Sequence, residues 1–182
     1  MGRSLTQLSK FLALVLRHTP ETFGIVLDEQ GFAPIDVVWH EVIERFGTAY
    51  DQNDLADIVK GDSRGKKRYE IADDKIRALY GHSQPTIRYE AIIPPTILYH
   101  GTNATALKQI QVDGLQAIGR QYVHMTTNLD NATLVAKRKT KQPIMLSIHA
   151  LEAHESGIVF HQAEDEHYLA LAIPPQFIKI KL

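Results

Sequence analysis

The chain has 182 residues, of which 44% are hydrophobic and 23% charged, with a formal net charge of −1 and no cysteine. Such a composition suits a globular protein with a real core, and it excludes a uniformly basic surface, disulfides, thiolate catalysis and cysteine-ligated zinc. The start, Met1-Gly2-Arg3-Ser4-Leu5, is broken by Gln7, Ser9 and Lys10 before it can form a signal-peptide core, and no segment approaches the ~20 apolar residues of a membrane span. A cytoplasmic protein without membrane association is expected.

Ser4 to Gln7 has the S-x-x-Q form of a capping box, and Leu8, Phe11, Leu12, Val15 and Leu16 then share one helical face. This first helix should stop at Arg17-His18-Thr19-Pro20, because proline disfavours helical geometry in the residue before it. Cations on a last turn complement the helix dipole, so Arg17 and His18 have a structural reading beside any functional one. Gly24-Ile25-Val26-Leu27 reads as a strand, followed by a turn and a short strand at Phe32-Ala33. A second helix is expected from Pro34-Ile35-Asp36, bearing Val37, Val38, Val42 and Ile43, and a third from Asn53-Asp54 with Leu55, Ile58 and Val59. A basic turn from Asp62 to Arg68 runs into a strand at Tyr69-Glu70-Ile71, and a partner strand follows at Lys75 to Tyr80. Helices followed by a hairpin with a basic tip describe a winged helix, in which Arg64, Lys66, Lys67 and Arg68 are either phosphate contacts or a solvated tip.

A polar stretch after Gly81-His82-Ser83-Gln84-Pro85 marks the boundary, giving units at residues 1–90 and 91–182. In the second, Leu98-Tyr99-His100-Gly101-Thr102 and Arg120-Gln121-Tyr122-Val123-His124-Met125-Thr126 read as two buried strands that deliver polar side chains to one site. Between them lies a helix capped by Asn103, carrying Leu107, Ile110 and Val112, and stopped by Asp113-Gly114. Gly-Thr at a strand end before a helix start presents N–H groups and a hydroxyl to an anionic group, so a nucleotide is the first guess. The competing view makes His100 and His124 hydrogen-bonded core histidines. A helix from Asn128 to Arg138 and strands at 144–148, 157–160, 168–173 and 177–180 complete a β-rich unit, and the class is α+β.

Leu8-Ser9-Lys10-Phe11-Leu12 with Val15-Leu16-Arg17-His18, Lys67-Arg68-Tyr69, Ile76-Arg77-Ala78 with Gly81-His82-Ser83, Tyr99-His100-Gly101-Thr102, Tyr122-Val123-His124 and Ala172-Ile173-Pro174-Pro175 together resemble the tRNA 2′-phosphotransferase family. These separated blocks span nearly the whole chain in the family's order. The resemblance implies an N-terminal winged-helix RNA lobe and a C-terminal lobe of ADP-ribosyltransferase fold that binds NAD. It implies a reaction in which an internal RNA 2′-phosphate attacks the nicotinamide riboside and expels nicotinamide. The ribose 2″-hydroxyl then attacks phosphorus, releasing 2′-hydroxyl RNA and ADP-ribose 1″,2″-cyclic phosphate. Arg17, His18, Arg68 and Arg120 carry over as the catalytic quartet, and His100, Gly101, Thr102, His124 and Thr126 as NAD-binding residues. The partners implied are a tRNA-like RNA with an internal 2′-phosphate and NAD as co-substrate, and a monomer working without metal is expected.

A phosphate dianion brought against a negative pyrophosphate calls for arginine, whose fork binds phosphate oxygens bidentately and stays charged at any working pH. The first step asks for positioning and charge stabilisation, and the second asks for activation of a hydroxyl. His18 is open to roles as acid, base or phosphate donor. The chain departs from the family where Asn-Gly-Val-Trp-Leu is usual: it reads Asp165-Glu166-His167-Tyr168-Leu169, with His167 at a position that carries a catalytic glutamate in related ADP-ribosyltransferases. That departure keeps in play an ADP-ribosyltransferase that modifies nucleic-acid ends or protein and stops after the first step. A nucleic-acid binder that senses NAD is a non-enzymatic rival. A metal hydrolase has only the nine histidines in its favour, with no H-E-x-x-H spacing.

Overall fold

The computed structural model describes residues 4–62, 67–83 and 87–181. The chain divides into two units, Met1–Arg88 and Tyr89–Leu182, and both mix helix with antiparallel sheet, an α+β architecture. No helix among the described residues is long and apolar enough to cross a membrane.

The first unit opens with α1 (Leu5–Ala13), whose apolar face buries Leu8, Phe11 and Leu12. The expected side-chain cap is absent: Ser4 makes no capping bond, and its carbonyl instead accepts from the Gln7 N–H and from the Tyr50 hydroxyl. A π-helical turn, Leu14–His18, continues the helix and closes with the Thr19 N–H on the Leu14 carbonyl. The wider ring accommodates an extra residue, a feature often found at functional sites. The strand expected at Gly24–Leu27 does not form. Pro20–Phe23 makes a 3₁₀ turn that ends in left-handed Gly24, and the chain pairs first at β1 (Phe32–Pro34).

Next come α2 (Ile35–Phe46) and α3 (Gln52–Lys60). The capping box lies at α3, where Asp51 accepts from the Asn53 and Asp54 N–H groups and Asp54 accepts from the Asp51 N–H. Strands β2 (Tyr69–Ala72) and β3 (Lys75–Ala78) complete a sheet of order β1-β3-β2. The hairpin turns through Asp73-Asp74, with Asp73 at φ 53°, so its tip is acidic and not basic. Aspartate tolerates that left-handed geometry, whereas the basic residues Lys67 and Arg68 precede β2. Arg64 and Lys66 lie outside the described residues. Leu8, Leu12, Val15, Leu16, Tyr69 and Ile76 form the core, and edge-to-face contacts link Phe23, Phe11, Phe46 and Tyr50.

In the second unit β4 (Ala91–Ile92), β5 (Ile97–Thr102), β7 (Val123–Thr126), β8 (Ile144–His149), β9 (Phe160–Glu164), β10 (His167–Ala170) and β12 (Ile178–Ile180) form one sheet, ordered β12-β8-β5-β7-β10-β9-β4. A two-stranded ribbon pairs β6 (Leu115–Gln116) with β11 (Ala172–Ile173). The single strand expected over 168–173 is therefore two, broken at Leu171, which is 66% exposed. Helix α4 (Ala104–Asp113) packs on β6 and the 3₁₀ turn at Pro175–Phe177, and α5 (Leu129–Ala136) and α6 (Ala150–Glu155) pack on the sheet. Of Leu107, Ile110 and Val112, which periodicity marks for the apolar face of α4, Ile110 is buried whereas Val112 is exposed. Two glycines are required. A Cβ on Gly114, at φ 78°, would strike the Ile173 carbonyl, and one on Gly101 would overlap the Ala136 Cβ.

Candidate functional site

In the first unit the polar groups gather where the π-turn meets the segment after β3. Arg17 lies with its guanidinium carbon 5.3 Å from the Tyr69 ring centroid and 5.1 Å from that of Tyr80. Its Nη2 donates to the Arg68 carbonyl at 3.2 Å. The Tyr69 hydroxyl donates to the Ser9 carbonyl and the Tyr80 hydroxyl to that of Lys67, so both walls are pinned. Gly81, at φ 89°, lies against the Arg17 side chain: a Cβ there would be in ordinary contact with Nη1 at 3.5 Å. No carboxylate lies within ion-pair distance of Arg17 among the described residues, and its Nε is buried without a hydrogen-bond partner. The cation is held by ring faces and a carbonyl, contacts worth ~0.5–2 kcal/mol each that leave its charge uncancelled.

His18 is exposed, and its Nδ1 lies 2.7 Å from Ser83 Oγ, while the Ser83 N–H donates to the Arg17 carbonyl. Arg68 is half-buried, with Nη2 3.0 Å from Asp62 Oδ2. Between these groups His82 is 3% exposed, and burial, then Arg17, His18 and Arg77, push its pKa down to about 4. The structure thus brings together Arg17, His18 and Arg68. It adds Tyr69, Tyr80, His82 and Ser83, which the sequence reading passed over as site residues. The Gly-His-Ser run was the available signal for His82 and Ser83. Nothing in the sequence pairs the tyrosines with Arg17.

In the second unit the His100 Nδ1–H donates to the His124 carbonyl at 2.8 Å. Tyr99 opposes Thr126 in the β5–β7 register, so strand alternation puts His124 on the face of Tyr99 and His100 on the other. The link is accordingly ring to main chain. Burial pushes the His100 pKa below its ordinary value; the bond to His124 pulls it back and Lys139 pushes it down further. A neutral His100 that donates from Nδ1 keeps Nε2 as an acceptor. His124 Nδ1 in turn lies 2.7 Å from His167 Nε2, with the rings edge to face.

Gly101 serves close packing of β5 on α5. Thr102 is buried within the β5–β8 ladder, and Thr126 Oγ1 accepts the Asn128 N–H at the start of α5. Arg120 is exposed in the irregular stretch before β7. Near it Tyr122 packs on Tyr89 and His161. A cavity of about 460 Å³ at the start of α4 is lined by Asn103, Ala104, Thr105, Ala106, Lys139, Thr140 and Gln142. Asn103 caps the Ala106 N–H. A helix start beside a lysine suits an anionic group.

Permanent positive charge fixed by packing, together with histidines held on strands, suits a protein that handles phosphoryl groups. Residues 3–171 match the sequence model of the family described as RNA 2′-phosphotransferase, Tpt1 / KptA family. The chain belongs to that RNA 2′-phosphotransferase family. A protein of Pectobacterium atrosepticum named "Probable RNA 2′-phosphotransferase" is 44% identical, over 98% of this chain and 99% of its own length. Proteins of the same name from Acetivibrio thermocellus and Pseudomonas aeruginosa are 42% and 38% identical, each over 97% of both chains.

Proposed function

We propose that the protein is an NAD-dependent RNA 2′-phosphotransferase, acting on an internal 2′-phosphate to give 2′-hydroxyl RNA, nicotinamide and ADP-ribose 1″,2″-cyclic phosphate. Its first unit is read as a winged-helix RNA lobe and its second as an ADP-ribosyltransferase-like NAD lobe. The observation that carries this reading is family membership along nearly the whole chain. The geometry that favours it is the Arg17 guanidinium, which lies against two tyrosine rings with no carboxylate in ion-pair reach among the described residues.

In this reading Arg17 and Arg68 grip the oxygens of the RNA 2′-phosphate, holding the nucleophile in line and later spreading the charge that builds on phosphorus, and the family resemblance adds Arg120 to the same catalytic set. Arg17 is suited to this because stacking fixes its plane without neutralising it. His18, with Nδ1 at Ser83, offers Nε2 to the same phosphate or to the attacking hydroxyl. NAD supplies an anomeric carbon with a leaving group that departs without a proton. The residues present fit it: the acceptor Nε2 of His100 suits a ribose hydroxyl, and Lys139 with the α4 N–H groups suits a pyrophosphate. Gly101 and Thr102 shape the strand that carries His100, and the family resemblance adds His124 and Thr126 of β7 to the NAD-binding set.

The test is incubation with a 2′-phosphorylated oligonucleotide, with and without NAD, in a metal chelator. Nicotinamide and cyclic phosphate appearing together, only with NAD, is the expected result, since arginine charge stands in for a metal. A stable ADP-ribosylated oligonucleotide as sole product would instead assign the chain to the one-step transferases that His167 brings to mind.

A further inference from the structure

The residue that departs from its family's pattern, His167, is the one that touches the ring of His124. Thr126 opposes His167 and His124 opposes Leu169 in the β7–β10 ladder, so all four side chains leave the sheet on the same face. On its other side β10 pairs with β9 through a register shift between His167 and Tyr168. Such irregularities turn a side chain away from its regular direction. The outcome is the 2.7 Å contact between His124 Nδ1 and His167 Nε2.

Ring nitrogens at that distance share one proton. One nitrogen donates and the other accepts, so the tautomer of each ring is coupled to that of its neighbour. The main chain of His124 is already held, because its carbonyl accepts from His100. What His167 adds is the rotation of the His124 ring and the identity of its outward nitrogen. That Nε2 becomes a fixed donor or a fixed acceptor, and a nucleotide meets it without the entropy of choosing.

We propose that His167 is a positioning residue for the nicotinamide nucleotide: it locks the ring and tautomer of His124 and so sets the affinity of this unit for NAD. The proposal rests on the NAD-handling reading above for its ligand, although the lock itself is a property of the free protein.

The test compares His167→Leu, His167→Gln and His167→Asn in the full chain. Glutamine places its amide where the imidazole Nε2 lies and can give or accept the bond, whereas asparagine places it a bond short. Nitrogen-15 NMR of labelled histidine should show one His124 tautomer in the wild type and in His167→Gln, and an averaged pair in His167→Leu and His167→Asn. The KM for NAD should rise roughly tenfold in the leucine and asparagine variants, the effect of one lost hydrogen bond, with kcat changed less than twofold and with recovery in His167→Gln. An unchanged His124 tautomer in His167→Leu overturns the proposal, as does a glutamine variant no better than leucine. If wild-type protein releases no nicotinamide at all, the functional reading fails instead, and the NMR comparison still decides whether His167 positions His124.

Discussion

The two units hold their polar groups by opposite means. In the first, charge is permanent and packing fixes it: Arg17 lies against Tyr69 and Tyr80, whose hydroxyls are tied to main-chain carbonyls. The one buried histidine there, His82, is kept neutral by that charge and by burial. In the second, the groups are imidazoles, of which burial lowers the pKa of His100, and strand register with a main-chain acceptor and a ring-to-ring contact fixes them. Packing orients a cation without discharging it, which a carboxylate partner would not do. Register instead sets which face and which nitrogen a histidine shows. A reaction that first captures a nucleotide and then transfers phosphorus needs both kinds of holding.

The largest effects should separate the units by step. Arg17→Ala and Arg68→Ala each remove a cation proposed to bind phosphate, and if that resembles loss of an oxyanion donor the cost is about 3 kcal/mol or more, on the order of a hundredfold in rate. In these variants, and in Arg120→Ala, nicotinamide release should outrun cyclic phosphate formation, so that ADP-ribosylated RNA accumulates. His100→Ala should slow nicotinamide release itself and build up nothing. Arg17→Lys should not recover activity, because an ammonium cannot reproduce the planar stacking or the bond to the Arg68 carbonyl. Accumulation in His100→Ala but not in the arginine variants would reverse the assignment of steps.

Stability should distinguish the units next. His82 is neutral when folded, with a pKa of about 4 against 6.5 when unfolded. Between those values the unfolded state binds more protons, so stability present above pH 6.5 is lost as the pH falls toward 4. The loss amounts to roughly 3 kcal/mol. The single tryptophan, Trp39, lies in this unit and reports its unfolding. Urea midpoints followed by its fluorescence should fall with pH in the wild type and stay flatter in His82→Gln. Parallel curves would show that another group carries the acid sensitivity. In the second unit Gly101→Ala should cost ~1–3 kcal/mol by overpacking, since the new methyl meets Ala136 and the Ala132 carbonyl. A full-strength melt of Gly101→Ala would mean that α5 can move off β5 freely.

Helices with a clean apolar stripe were legible from periodicity, as α1 illustrates, whereas of the four residues marked on α2 only Val38 and Val42 are buried and Val37 and Ile43 are exposed. Ends and partners were less legible. Ser4-x-x-Gln7 had the form of a cap, yet tertiary contact with Tyr50 fixes that start, while the box that does form uses Asp51 and Asp54. Ile25-Val26-Leu27 looked like a strand, but an apolar run becomes one only where a neighbour pairs with it. The motifs placed Arg17, His18 and Arg68 side by side in one site. Contacts that depend on register or on distant packing, such as His124 with His167 and Arg17 with Tyr69, could not be read before the fold was known.

The smallest effect tests whether orientation or charge is what the first unit protects. Arg68, unlike Arg17, has a carboxylate at hand among the described residues, Asp62 at 3.0 Å, and the pair is partly solvated. A surface pair of this kind contributes ~0–1 kcal/mol, so neither Asp62→Ala nor Asp62→Asn should shift the melt by more than that. Asparagine keeps a carbonyl oxygen within reach of Nη2 and still holds the guanidinium, but it no longer offsets its charge. If orientation matters, Asp62→Asn should turn over near the wild-type rate and bind RNA slightly more tightly at low salt, whereas Asp62→Ala frees the side chain and should lose roughly threefold to fivefold in kcat, as for a weak hydrogen bond. Equal slowing of both variants would mean that the carboxylate acts through its charge, and the contrast between a packed, uncompensated Arg17 and a tethered Arg68 would lose its meaning.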